Sequence, residues 1–307
     1  MTALLDSSAR GLFVVSVTPF LENGALDLPS VAPMVEFYLA QGATGITVLG
    51  VMGEAPKLTL AESVAFTREV IRCAAGRIPV VVGATAPGLA AMRELTEQTM
   101  AEGAAGVMVA APASLRSDAS ILQYYQQVAD TIGPVPFVLQ DYPPLAGVTI
   151  PASVIRAIID SVPTCVMLKH EDWPGLAKLS AVRAEPVSRR VSILSGINGL
   201  FLPEELRRGA DGAMTGFSYP EMVTAMLAAR AAGDDDRAGL IHDAYLPLLR
   251  YELQPGVGLA VRKYILAQRG AIACAAQRKP GTALSRDDIA DIETLLARQD
   301  RRLSAIL

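Results

Sequence analysis

The chain has few of the residues that build metal sites and disulfide frameworks. Its three cysteines, Cys73, Cys165 and Cys274, lie far apart and form no CxxC pair, so neither a disulfide framework nor a zinc ribbon is predicted. Two histidines, His170 and His242, cannot by themselves form a histidine-rich metal site. We therefore expect a protein that uses no metal ion and no other cofactor.

Long apolar runs and strongly basic stretches are also missing. No segment reaches the ~18 uninterrupted apolar residues of a membrane span, and the first ten residues lack the basic start and apolar run of a signal peptide. The net charge of −4 argues against nucleic acid or an anionic membrane as a partner. These absences predict a cytoplasmic protein with reduced thiols.

Apolar residues are abundant instead, at 51% of the 307 residues, which is enough for a large core. Short apolar, β-branched runs recur, and a longer helical stretch follows each one. These eight runs begin at residues 11, 45, 79, 106, 135, 165, 191 and 212. They are nearly continuous rather than alternating, as strands buried on both faces are. Eight strand–helix units predict an α/β protein with the (β/α)8 TIM barrel fold.

After residue 233 no further strand is predicted. Three helices are expected there, at residues 240–251, 257–268 and 286–306. Ser285 is a plausible N-cap of the last helix, because its side chain can accept a hydrogen bond from the first turn. We therefore divide the chain into a barrel catalytic domain, residues 1–233, and a C-terminal helical region, residues 234–307, packed on it.

A lysine ends the sixth apolar run. Reactive groups of TIM barrels project from the C-terminal ends of the strands, and Lys169 is one of only five lysines among 27 basic residues. Burial removes the hydration of an ammonium group and so favours the free amine. A free amine can condense with a ketone to an imine. Position alone also allows a salt-bridged or solvated lysine.

The residues after Lys169 carry further titratable groups. Side chains alternate along a strand, so Glu171 should share the face of Lys169, and His170 should point towards the helix layer. Glu171 can either hold the lysine charged or exchange protons with a substrate. We interpret His170 as structural.

Several motifs, taken in chain order, resemble one protein family. They are VTPF at residues 17–20, GVMGE at 50–54 where the family has GTTGE, QDYP at 140–143 where it has YNxP, and Lys169 at the imine-forming lysine. Over about residues 11–300 the sequence thus resembles the dihydrodipicolinate synthase and N-acetylneuraminate lyase family of class I aldolases.

The resemblance implies an activity and partners. It implies a (β/α)8 barrel with a helical C-terminal part and a 2-oxo acid, commonly pyruvate, bound to Lys169 as a Schiff base. The expected partners are therefore a small 2-oxo acid and, for an aldol reaction, an aldehyde. A homotetramer or a homodimer is implied as well.

The sequence also departs from the family pattern. Val51 and Met52 replace two hydroxyl residues that hold the substrate carboxylate and begin a proton relay, although backbone N–H groups of Met52 and Gly53 can still bind a carboxylate. The catalytic tyrosine of the family aligns with Gln140, and an amide is no acid–base group at neutral pH. Leu145 stands at the arginine of true dihydrodipicolinate synthases. These losses argue against that activity.

A working enzyme then needs a substitute for the missing tyrosine. Tyr142 is the first candidate, since it lies two residues beyond Gln140 and so on the same strand face. Glu171 is the second, and Asp141, which alternation turns outward, is the third.

Other residues are predicted to line the substrate site. We expect Gly196 and Met214 there, together with the loop residues Val51, Met52 and Gly53. The apolar side chains among them predict a substrate whose distal part is less polar than a sugar acid.

Four functions remain open at this stage. A Schiff-base aldolase that makes or cleaves a C–C bond is the first hypothesis, and a Schiff-base dehydratase of a 3-deoxy-2-oxo acid is the alternative, because both pass through the same enamine. A non-catalytic relative that binds a 2-oxo acid is the third. A metal-dependent aldolase would need Asp141, His170, Glu171 and Asp172 together, and alternation scatters these side chains to different faces.

Overall fold

The computed structural model describes residues 3–186 and 188–306, with the side chain of Leu145 outside the described part. Eight parallel strands pair in chain order and close into a barrel. The strands are β1 (Gly11–Val15), β2 (Gly45–Val48), β3 (Val80–Gly83), β4 (Gly106–Ala110), β5 (Phe137–Asp141), β6 (Cys165–His170), β7 (Ser192–Ser195) and β8 (Gly212–Thr215). The structure confirms the predicted (β/α)8 TIM barrel, and every predicted run contains its strand.

Helices connect the strands and form the outer layer. They are α1 (Val31–Ala40), α2 (Leu60–Ala74), α3 (Leu89–Ala101), α4 (Asp118–Ile132), the single turn α5 (Pro143–Ala146), α6 (Ala152–Ser161), α7 (Leu176–Arg183), α8 (Leu202–Arg207) and α9 (Glu221–Ala231). Helix α2 begins with a capping box between Thr59 and Glu62, in which each residue bonds the other's backbone N–H. Short polar signals of this kind fix where each helix begins.

The strands are buried on both faces. One set of their side chains packs against the surrounding helices, and the other fills the inside of the barrel, with Phe13, Met108, Met167 and Met214 among its members. Since side chains alternate, the residue two positions after Met167 also faces the barrel interior, at the carboxyl end of β6. That residue is Lys169.

Three helices follow the barrel, α10 (Asp235–Glu252), α11 (Gly258–Gln268) and α12 (Arg286–Leu303). Helix α12 has the predicted cap at Ser285, and α10 packs against α9, α11 and α12. The division of the chain at residues 233 and 234 stays a prediction. None of the helices in the described residues combines the length and the hydrophobicity that a membrane crossing requires.

Candidate active site

Lys169 lies in a cavity at the carboxyl end of the barrel and is 5% exposed. Its Nζ atom is 3.0 Å from Glu171 Oε2. The cavity is also lined by Val51, Met52 and Tyr142. The structure therefore brings the predicted lysine together with two of the three predicted acid–base candidates, Glu171 and Tyr142.

Glu171 is held by a second donor besides the lysine. Strand β5 pairs with β6 so that Gln140 stands opposite Lys169, and the Gln140 Nε2 group donates a 2.7 Å hydrogen bond to Glu171 Oε2. The two donors, from Lys169 and Gln140, meet on one carboxylate oxygen and fix its orientation. Gln140 thus orients Glu171, and its amide carries no proton in the reaction.

Gly196 follows β7 and gives Glu171 its space. A Cβ atom on residue 196 would overlap the Cγ atom of Glu171 and crowd its carboxylate. The absence of a side chain at Gly196 therefore leaves room for Glu171 and supports the position of its carboxylate, and the contact of Gly196 with substrate stays a prediction.

Tyr142 follows β5 and is half-buried at the edge of the cavity. Burial raises the pKa of its hydroxyl, the negative charge of Glu171 raises it further, and the cation of Arg262 opposes both. A phenol with a raised pKa stays protonated at neutral pH, so Tyr142 is suited to donate a proton or a hydrogen bond rather than to act as a base.

The loop after β2 contributes less than predicted. Val51 is 40% exposed at the rim, and Met52 forms part of the wall. The N–H of Gly53 donates to the Gly50 carbonyl at 2.9 Å within a tight turn, and the Gly53 carbonyl accepts from Thr18 Oγ1 at 2.6 Å. The prediction of a free Gly53 donor is therefore wrong, which leaves Met52 as the candidate for a carboxylate contact.

Met214 does not line the cavity. It is fully buried inside the barrel, in the layer beneath, while Thr215 and Gly216 form the wall above it. The prediction assigned the right strand and the right face but took a residue one layer too deep. Polar Asn198 and Thr215 stand in this wall beside apolar residues, so the entrance is less apolar than predicted. The predicted contribution of Leu145 lies outside the described residues.

The strand neighbours of Lys169 and Gln140, which are His170 and Asp141, face away from the cavity, as alternation predicts. His170 Nε2 lies 3.0 Å from the Gly175 carbonyl, and Asp141 pairs with Lys178 at 3.0 Å. Within the described part of the chain, no group of three or more His, Cys, Asp and Glu side chains is arranged to hold a metal ion.

A buried polar network from the C-terminal region was missed by the sequence analysis. Arg262 on α11 is 1% exposed and lines the cavity. Its Nε donates to Glu252 Oε1 at 2.6 Å, and its Nη2 donates to Asn198 Oδ1 at 2.7 Å. Nothing in the local sequence marks this arginine, because its partners lie 10 and 64 residues away.

Comparison with known proteins supports the family resemblance found in the sequence motifs. Residues 8–299 match the Dihydrodipicolinate synthetase family. The chain belongs to this family. The resemblance inferred from the sequence motifs is thus confirmed, and so is the expectation of a lyase, since members of this family are Schiff-base-forming aldolases and dehydratases.

The similar proteins carry different activity names. An L-2-keto-3-deoxyarabonate dehydratase of Azospirillum brasilense is 30% identical over 307 residues, covering 98% of this chain and 97% of that protein. A 4-hydroxy-tetrahydrodipicolinate synthase of Thiobacillus denitrificans is 30% identical over 246 residues, covering 79% and 81%. The crystal structure of a dihydrodipicolinate synthase from Rhodopseudomonas palustris superposes with a TM-score of 0.94 at 46% identity, covering 97% and 100%. These names agree on the family and differ on the reaction.

Proposed function

We propose that the chain is a Schiff-base lyase that binds a 2-oxo acid covalently through Lys169 and removes water from it. The observation that supports this most directly is the position of the Lys169 amine. It is buried at the mouth of a TIM barrel, borders a cavity, and lies 3.0 Å from a carboxylate that can take its proton.

Glu171 and Tyr142 can carry out the proton transfers of this reaction. Glu171 accepts a proton from the ammonium, and the free Nζ attacks the C2 carbonyl of the 2-oxo acid. Glu171 then gives that proton to the C2 oxygen, which leaves as water, so that the protonated imine forms and Glu171 is again a carboxylate. The protonated imine acidifies C3, and Glu171 removes a C3 proton to give the enamine. The C4–O bond then breaks, and the hydroxyl leaves as water with a proton from Tyr142 or Glu171. Hydrolysis of the imine consumes one water, which offsets the water released when the imine formed, so one water is lost overall. The unsaturated product becomes a deoxy dioxo acid when protons shift from C5 to C3 and from the C5 hydroxyl to C4.

Two facts favour elimination over the aldol reaction that the sequence analysis placed first. The dehydratase relative matches this chain over nearly the full length of both proteins. Gln140 and Leu145 also stand where a synthase needs a phenol and a guanidinium, which argues against lysine-precursor synthesis despite the 46% identity to a protein of that name. Aldol cleavage stays the second candidate, because other relatives are named synthases.

Covalent trapping tests the proposal. Borohydride with pyruvate should add the mass of one reduced pyruvate to the wild-type protein and nothing to Lys169→Ala. Lys279→Ala, which removes an exposed lysine, is the matched control and should still form the adduct. An adduct that persists in Lys169→Ala would reject the imine.

Product analysis separates the two reactions. Elimination from a 3-deoxy-2-oxo sugar acid should yield a deoxy dioxo acid. Aldol cleavage would instead yield pyruvate and an aldehyde, and finding those products would reverse the order of the two candidates.

A further inference from the structure

We propose that Arg262 is a specificity-determining residue, whose free Nη1 group binds a hydroxyl oxygen at the distal end of the 2-oxo acid. The proposal rests on the function proposed above, because it takes Lys169 as the point of covalent attachment. It concerns a part of the substrate that the imine chemistry itself does not define.

The guanidinium of Arg262 is fixed on two sides. Its Nε bonds Glu252 Oε1 at 2.6 Å and its Nη2 bonds Asn198 Oδ1 at 2.7 Å. Glu252 is held in turn by the backbone N–H of Ser218 at 3.2 Å. Because the guanidinium is planar, the bonds at Nε and Nη2 fix its orientation, and Nη1 then points in a defined direction.

Among the described residues, no group accepts a hydrogen bond from Nη1 of Arg262. Nη1 of Arg262 is buried and unpartnered, and among such atoms in residues 3–186 and 188–306 it is the one that belongs to the wall of the Lys169 cavity. Gly216 lies beside it, also in the wall, and a Cβ on residue 216 would collide with Nη1. A buried cationic donor left unpaired is costly, so a ligand oxygen is the partner that the position calls for.

The position of Arg262 indicates which end of the substrate it meets. C2 is attached to Lys169, and the carboxylate is assigned above to the loop that contains Met52. Asn198 and Gly216, which flank the guanidinium, follow β7 and β8 and so belong to a third side of the cavity. The chain beyond C3 is the part of a 2-oxo acid left to fill that side.

The charge of the network selects between two oxygen types. Glu252 is ion-paired with Arg262 and offsets its charge, so the pair is neutral as a whole. A neutral pair attracts a second carboxylate less strongly than a free arginine would, whereas a hydroxyl needs only the unpaired donor. We therefore assign a distal hydroxyl, in place of the apolar distal group that the sequence suggested.

Chain-length dependence of borohydride trapping tests this in the wild-type protein. The probes are pyruvate, 2-oxopentanoate, 5-hydroxy-2-oxopentanoate and 2-oxoglutarate, and the readout is the concentration that gives half-maximal adduct. We expect the hydroxylated acid to require at least about tenfold less than 2-oxopentanoate, as a hydrogen bond to a charged group provides. Equal values for these two acids would overturn the proposal, and a preference for 2-oxoglutarate over both would replace the hydroxyl by a carboxylate.

A conservative variant then assigns the preference to Arg262. Arg262→Lys keeps the charge but loses the fork, so the ratio between the half-maximal concentrations of 2-oxopentanoate and 5-hydroxy-2-oxopentanoate should fall from at least about tenfold to about one. Arg269→Lys, directly after the end of the same helix and outside the cavity wall, should retain the wild-type ratio. An unchanged preference in Arg262→Lys, or an equal loss for pyruvate, would reject the assignment.

The wild-type measurement keeps the two proposals separable. If the wild type forms no adduct with any 2-oxo acid, the proposed function fails. If it traps pyruvate but shows no advantage for the hydroxylated acid, the imine stands and the role of Arg262 fails. Circular dichroism of Arg262→Lys shows whether a lost adduct reflects a lost fold, and in that case the wild-type comparison decides.

Discussion

Two lysines in the described part of the chain are buried and paired with a glutamate, and the roles we propose for them differ. Lys169 and Glu171 are joined at 3.0 Å, and Lys263 and Glu54 at 2.6 Å. Lys263 is fully buried, and burial lowers its pKa while Glu54 opposes the shift. Judged by burial and by the presence of a carboxylate partner alone, Lys263 would be an equally good candidate nucleophile.

The difference lies in the other acceptors and in the space around each amine. Lys263 Nζ also donates to the carbonyls of Thr18 and Ala276, both at 2.8 Å, so all three of its protons are used. Lys169 borders a cavity. The comparison teaches that a reactive lysine is recognised by an incomplete set of partners beside open space, since burial occurs in structural lysines too.

Exchanging each lysine for methionine gives the largest contrast. Lys169→Met should abolish the borohydride adduct and turnover, because no other amine borders the cavity in the described residues. Lys263→Met should keep the adduct but lower the free energy of unfolding by about 1–3 kcal/mol, because Glu54 Oε1 loses its buried partner while Glu54 Oε2 keeps its ion pair with Lys57 at 2.8 Å. Intact mass and thermal unfolding measure the two effects.

The double variant Lys263→Met with Glu54→Gln is the control for this contrast. It removes both charges and should recover part of the lost stability. Loss of the adduct in a folded Lys263→Met protein would show that the two lysines are not separate in function.

Glu171→Gln removes the proton acceptor of the working pair without changing its shape. Turnover should fall by about 10²–10⁴-fold, the usual contribution of acid–base catalysis. The pyruvate adduct should still form, more slowly, because Lys169 is retained. Full turnover in this variant, measured against Glu97→Gln at an exposed position, would move the base to another residue.

Gly196→Ala tests the support of Glu171, which has no counterpart at Lys263. The added methyl overlaps the Glu171 side chain, so we expect turnover to fall about tenfold or more, by displacement of the carboxylate. Gly88→Ala is a suitable control, since a Cβ there meets nothing within 4 Å. Equal losses in the two variants would contradict the supporting role.

We expect the smallest effect in the dependence of turnover on pH at the alkaline end. The pKa of Tyr142 is raised from 10.0, so its proton is retained to higher pH than in a free phenol. The neutral phenol contributes to stability and to proton donation below pH 10, and both are lost as pH rises through the raised pKa. Turnover by the wild type should therefore fall only above pH 10, and Tyr142→Phe should lack that limb. A fall below pH 9 would assign it to another group.

Much of the fold and part of the site could be predicted from local sequence. Continuous apolar runs identify all eight strands, because a strand buried on two faces needs no polar residues. Alternation places Lys169 and Glu171 on one face and His170 on the other. These inferences succeed because they involve neighbours along the chain.

The rest depends on contacts between distant segments. Arg262 meets Asn198 across 64 residues, and the supporting role of Gly196 depends on the side chain of Glu171 from the adjacent strand. Met214 was misplaced by one layer because a run of apolar residues does not show where the barrel interior ends. The oligomeric state stays a prediction, which light scattering can test.

Helix α11 carries two neighbouring residues that connect opposite parts of the barrel. Arg262 is anchored to the segment after β7, and Lys263 to the turn after β2. Detachment of this helix from the barrel would remove the cationic partners of two carboxylates, those of Glu54 and Glu252, and would open the Lys169 cavity in the same step. The C-terminal segment should therefore resist limited proteolysis as long as the barrel is native, and melting should proceed as a single cooperative transition in which activity and structure are lost together.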